Sequence, residues 1–179
     1  MVKRRDPSKD KGDVSESPAL GGEAAPNPEL KVLAQYIKDL SFESPSAPDA
    51  LRSPGQNPQL HVQVNVRVTP GPEETHEVAL NLAAHTKNEA GVIYHLELTY
   101  AGIFRPTNVP RNLLPPILWV NCPMMLFPFL RRMVRDVTHE GGFPPLMLDP
   151  IDFASLYARQ LAEAKATLQA SEDRSNKPT

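Results

Sequence analysis

A single cysteine, Cys122, rules out an internal disulfide framework and a zinc site assembled from several cysteines. It fits a reducing compartment. A surplus of charge of one sign is missing too: 19 Lys and Arg face 21 Asp and Glu, a net charge of −2. That balance points to neither nucleic acid nor an anionic membrane as partner. Catalytic signatures are absent as well. The sequence has no glycine-rich phosphate loop, no nucleophile elbow and no paired-histidine helix motif. The five histidines do not cluster along the chain: His61, His85 and His95 fall on faces expected to be wet, and His76 heads its strand. Cys122 lies in an apolar segment before Pro123 and reads as a buried, inert thiol. Asp39 and Glu43 share a strand face about 13 Å apart, too far for the carboxylate pair of even an inverting glycosidase. These absences point to a binding protein that needs no metal and no cofactor.

Large apolar side chains are nearly absent from residues 1–28, so this stretch is expected to be a disordered tail. Its basic start is followed by no apolar core, which excludes a secretory signal and implies a cytoplasmic protein. Residues 29–168 form the expected domain, and residues 169–179 a second disordered tail.

What dominates the remainder is the uncharged stretch LLPPILWVNCPMMLFPFL, Leu113 to Leu130. Its length reaches the threshold for a membrane span. Pro115, Pro116, Pro123, Pro128 and Asn121 interrupt it, and no second span exists, so direct membrane insertion is not expected. As a helix it offers one stripe of Ile117, Leu118, Met125, Phe129 and Met133, while Trp119, Met124, Phe127 and Leu130 fall on other sides. A helix apolar nearly all round needs cover nearly all round. One small sheet covers one side, so a second subunit is expected over Ile117, Leu118, Trp119, Met124 and Met125.

Four strands supply that sheet. Gln59 to Thr69 alternates most cleanly, with Leu60, Val62, Val64, Val66 and Val68 on one face. Leu30 to Glu43 places Leu30, Val32, Ala34, Tyr36, Leu40 and Phe42 on one face, with Lys38 the exception. A helix over Pro28 to Leu40 also fits part of this pattern, but the period of two persists through Phe42. Thr75 to Lys87 turns Val78, Leu80, Leu82 and Ala84 inward. Val92 to Phe104 turns Val92, Tyr94, Leu96, Leu98 and Tyr100 inward, with Ile93, His95, Glu97 and Thr99 outward. Short turns make successive strands antiparallel. The long helix runs to about His139, its basic last turns suit the negative pole, and Gly141 and Gly142 give a left-handed stop. Asp149 or Asp152 caps a second helix that reaches about Leu168.

Several segments carry a family resemblance. YIKDLSFESPSAP (Tyr36 to Pro48), AGIF (Ala101 to Phe104), NCPMMLFPFLRR (Asn121 to Arg132) and GGFPPLMLDPIDFASLY (Gly141 to Tyr157) together resemble the SecB protein-export chaperones over roughly Leu30 to Leu161. The resemblance implies a four-stranded antiparallel sheet with a long and a shorter helix on one face. It implies a homotetramer built as a dimer of dimers, with the long helices between sheets. It also implies an ATP-independent holdase that keeps unfolded preproteins translocation-competent and passes them to the SecA motor. By position, Asp39, Glu43 and Glu97 correspond to the motor-docking face. His95 stands where the family has a leucine, which changes that contact. Tyr94, Phe129, Phe143, Leu146 and Tyr157 correspond to the client groove, and Gln56 or Asn57 replaces a tryptophan often found in the crossing loop. Alternatives are a SecB-like chaperone serving another system such as a toxin–antitoxin pair, a small-ligand enzyme using the apolar loop as a lid, and a membrane-anchored protein.

Overall fold

The strict alternation of Val62, Val64, Val66 and Val68 with polar residues does produce a strand, β2, Gln59–Pro70. It pairs without interruption with β3, His76–Asn88, which pairs with β4, Gly91–Thr107. Tight turns join these three strands as antiparallel hairpins. At Ala90-Gly91 the Asn88 side chain accepts two backbone N–H bonds, and Gly91 takes a φ of 134° that suits only glycine. The first strand, β1, Glu29–Glu43, pairs with β4 on its far side. The order is therefore β1-β4-β3-β2. The connection from β1 to β2 crosses the whole sheet and includes one helical turn, α1, Asp49–Arg52. The computed structural model describes residues 27–52 and 57–175. The expected N-terminal tail lies outside them except for Asn27 and Pro28.

Directly paired residues of antiparallel strands point to the same face. On the inner face Val78, Leu80, Leu82 and Ala84 of β3 meet Leu96, Leu98, Tyr100 and Phe104 of β4, all buried. β1 departs from its expected pattern. Register shifts between Val32 and Ala34 and between Ile37 and Asp39 leave Leu33 and Lys38 as bulge residues. The first shift flips the parity and the second restores it. Ala34 and Tyr36, expected inside, therefore face out, and Gln35 and Ile37 take their places. The anomaly of Lys38 disappears with this: it turns outward to pair with Glu77, whose carboxyl is held below its usual range by that bond. A third shift, at Thr86 and Lys87, makes Ile93 a bulge residue. Ile93, expected outside, is 4% exposed, whereas Val92, expected inside, is 45% exposed.

The long helix is continuous from Leu114 to Glu140. It comprises α2, Leu114–Pro116, a π-turn over Ile117–Asn121, and α3, Cys122–Glu140. The π-turn ends at Asn121, two residues before Pro123, whose missing N–H already interrupts the regular ladder. Its sheet-facing stripe is Leu118, Cys122, Leu126, Leu130, Val134 and Thr138, every fourth residue, each at most 4% exposed. This corrects the expected stripe, because only Leu118 belongs to both. Met125 faces away, at 41% exposed, beside Met124 at 59%, and Phe129 lies on the flank at 43%, its ring stacked on Tyr100.

The shorter helix, α4, Phe153–Ser175, extends past the expected end near Leu168. Asp152 provides its cap, accepting the Ser155 N–H at 3.0 Å and the Ser155 hydroxyl at 2.7 Å. Phe153 meets Phe127 edge-on, and Tyr157 stacks on Trp119. Together with Phe104, the central helix stripe fills the core, so Leu126→Ala should cost about 2–5 kcal/mol of stability. Urea unfolding of the full chain, followed by circular dichroism, checks this against Met124→Ala, whose side chain is exposed in the single chain and should cost far less.

Candidate functional site

The loop after α3 is shaped by two residues at the helix end. Gly142, at φ 84°, makes the left-handed turn, and Phe143 N–H returns to the Thr138 carbonyl. Gly141 keeps helical angles at φ −68°, so only Gly142 is the left-handed stop. Gly141 is required for space instead: a Cβ there would lie 2.5 Å from the Phe42 ring. The second residue is Thr138. Its hydroxyl donates to the Val134 carbonyl and accepts the Leu146 N–H, each at 2.9 Å. This bond pins the apolar loop Phe143 to Leu148 onto the helix.

Pinned there, the loop and the sheet end enclose a groove of about 410 Å³. Phe143, Pro144, Pro145 and Leu146 form one wall, and Pro58 and Leu60 the other. Thr86, Ile93 and Tyr94 lie at its base. Behind it Phe42, Tyr94 and Phe143 form an aromatic triangle with centroids 5.1–6.3 Å apart. The crossing loop is tied to the β4 bulge by Ser44 and Ser46, whose hydroxyls donate to the carbonyls of Ile93 and Val92. The groove has almost no charge and no titratable group apart from the Tyr94 phenol. Its chemistry is that of a surface for apolar, extended chain.

Three of the expected groove residues, Tyr94, Phe143 and Leu146, thus come together. Phe129 and Tyr157 do not line this groove. Phe129 stacks on Tyr100 and Tyr157 on Trp119, both about 6 Å between centroids. Ile93 and Leu60 line the groove without having been expected there. The first was hidden by a bulge that no alternation pattern signals.

The opposite face of the sheet is polar. Asp39 pairs with Thr99, Ser41 with Glu97 and Glu43 with His95. The three carboxylates therefore occupy successive rows at the β1–β4 boundary, all exposed. His95 Nε2 lies 3.5 Å from Glu97 Oε1. Contrary to expectation, the histidines do cluster. His61, His85 and His95 are paired in one row across β2, β3 and β4, with ring centroids 5.1 and 6.0 Å apart. The sequence spacings, 24 and 10 residues, carried no sign of this because register decides it.

Among the residues expected under a second subunit, Met124 and Met125 are exposed and Ile117 and Trp119 half-buried. Leu118 is a correction: it is 4% exposed in the single chain and is already used by the core. Cys122 is fully buried, and burial pushes its thiol up to about 12, which suppresses the thiolate. Among the described residues, no helix is long and apolar enough to cross a membrane.

An antiparallel sheet with two helices on one face and an uncharged, proline-walled groove is the arrangement of a polypeptide-binding protein. The comparisons with known proteins are specific. The family model for the preprotein translocase subunit SecB matches residues 23–164. The protein-export protein SecB of Bradyrhizobium sp. (strain BTAi1) is 49% identical over 152 residues, covering 85% of this chain and 93% of that one. That of Maricaulis maris is 44% identical over 164 residues, covering 92% and 95%. The chain belongs to the SecB family of protein-export chaperones. In fold it is similar to the SecB-like chaperone of Mycobacterium tuberculosis solved with a ChAD peptide from the HigA1 antitoxin, with a TM-score of 0.55 and 17% identity. That match covers 69% of this chain and 91% of the other.

Replacing Thr138 by Val keeps the volume but leaves the Leu146 N–H without its partner. The expected cost is about 1–3 kcal/mol, together with faster hydrogen exchange at Leu146. Unchanged exchange there would show that the loop is held by other contacts.

Proposed function

We propose that this chain is an ATP-independent holdase that binds unfolded preproteins along the apolar groove and delivers them to the SecA motor from the cytoplasm. The observation that carries this reading is the groove itself: about 410 Å³ of nearly uncharged surface held open by Thr138, Ser44 and Ser46, in a chain of the export-chaperone family. Tyr94, Phe143 and Leu146 supply aromatic and aliphatic contact, and a polypeptide without fixed structure presents matching side chains. Phe129 and Tyr157 extend client contact beyond the groove proper.

The working unit is a homotetramer, a dimer of dimers. Met124 and Met125 form an apolar patch that the single chain leaves uncovered. Ile117 and Trp119 flank it, and Leu118 serves from the core side. Asp39, Glu43 and Glu97 form the docking face for a basic segment of the motor, in the arrangement that opposite charge favours. His95 replaces one apolar contact there with a polar one.

Two measurements test the reading. In light scattering without nucleotide, the protein should suppress aggregation of a slowly refolding precursor, and Tyr94→Ser with Leu146→Ser should weaken suppression severalfold. No suppression by the native chain at one tetramer per precursor contradicts the holdase. Separately, Asp39→Ala with Glu43→Ala should weaken motor binding at least tenfold in calorimetry and leave suppression intact. Joint loss of both activities would mean that the two surfaces are not independent.

A further inference from the structure

Three polar side chains are buried among the described residues: Thr75, Thr86 and Thr138. Two of them use their hydroxyls. Thr75 donates to the Pro72 carbonyl at 2.6 Å, and Thr138 donates to the Val134 carbonyl while holding the Leu146 N–H. Thr86 is 7% exposed, and its hydroxyl has no hydrogen-bond partner among the described residues. An enclosed hydroxyl without a partner costs stability, so the fold itself gains nothing over a valine of the same shape.

The position of Thr86 explains why its hydroxyl stays free. It stands in a strand, where the carbonyl four residues back, which Thr138 uses in its helix, is about 13 Å away. Leu60, Thr86 and Tyr94 are directly paired across β2, β3 and β4, so their side chains point together to the inner face. That row crosses the groove, with Thr86 and Tyr94 at its base and Leu60 in one wall. The Leu60 side chain has no polar atom, and Pro144 and Pro145 in the other wall have no N–H to offer. The one unused buried hydroxyl thus stands in the floor of the apolar groove.

We propose that Thr86 is a client-binding residue whose hydroxyl forms a hydrogen bond with the main chain of an extended polypeptide in the groove. This rests on the client-binding reading above. A hydroxyl both donates and accepts, so it takes a client carbonyl or N–H, whichever way the client runs. The bond is to main chain and is therefore independent of the client's sequence. It also satisfies a client polar group that would otherwise be buried unpaired against apolar walls. The client reaches the sheltered oxygen by displacing Leu60, which is 48% exposed on the edge strand β2.

Thr86→Val tests the proposal, because it sets the hydroxyl against apolar contact with opposite signs. Valine keeps the shape, suits a strand and makes the groove more apolar. Apolar contact alone therefore predicts equal or tighter client binding. The hydroxyl account predicts the reverse. In fluorescence anisotropy with a labelled, unstructured peptide of Leu, Tyr, Ser and Gly, Thr86→Val should bind about two- to tenfold more weakly than the native chain. Thr86→Ser keeps the hydroxyl and should stay within about twofold of native. In urea unfolding without client, Thr86→Val should be at least as stable as the native chain, since it removes an unpaired buried group. Undiminished affinity in Thr86→Val overturns the proposal, as does a Thr86→Ser that binds no better than Thr86→Val. Loss of affinity together with loss of stability would give the hydroxyl a structural role and overturn it too. A native chain that does not bind the peptide at all would remove the client-binding reading, and this inference with it.

Discussion

Six side chains set four residues apart, Leu118, Cys122, Leu126, Leu130, Val134 and Thr138, carry the long helix on the sheet. Every other feature follows from that contact. Each step of four overshoots a 3.6-residue turn by about 40°, so the stripe winds slantwise round the helix as it follows the twisted sheet, and Met124 and Met125 beyond it stay uncovered. Met124 and Met125 are left outward by the same geometry that buries Leu126 and Leu130. Burial of one such leucine stabilises by about 1.5–3 kcal/mol. The exposed methionines can contribute on the same scale only if another surface covers them.

The end of that stripe also builds the groove. Thr138 is its last member and the only polar one, and its hydroxyl is fully enclosed. A valine there would pack as well but would release the loop. The polar atom converts a helix end into a fixed wall, and Gly142 turns the chain so that Phe143 reaches Tyr94 and Phe42. The uncovered methionines and the apolar groove thus lie on different parts of one helix, and the acidic face lies on the far side of the sheet from both.

Much of this was legible beforehand. The alternation in β2 and β3, the unbroken apolar helix and its glycine stop are local signals, and each produced the element expected. The family segments predicted the sheet with helices on one face. What stayed hidden depended on pairing between distant residues. Bulges at Leu33, Lys38 and Ile93 reset which face a residue occupies, and nothing in a period of two announces them. The histidine row exists only because three strands share a register. Thr138 carries no signal of its own in the sequence; its role needs the position of Leu146, eight residues away.

One copy leaves part of its long helix, Met124 and Met125 above all, without a cover that only another surface can supply. The mass in solution, followed by light scattering through a wide dilution series in plain buffer, tests it most directly. A particle of four chains should persist at low concentration, and fall to pairs when Met124 and Met125 are changed to charged residues. A native chain that remains a single, well-behaved copy at every concentration would contradict it.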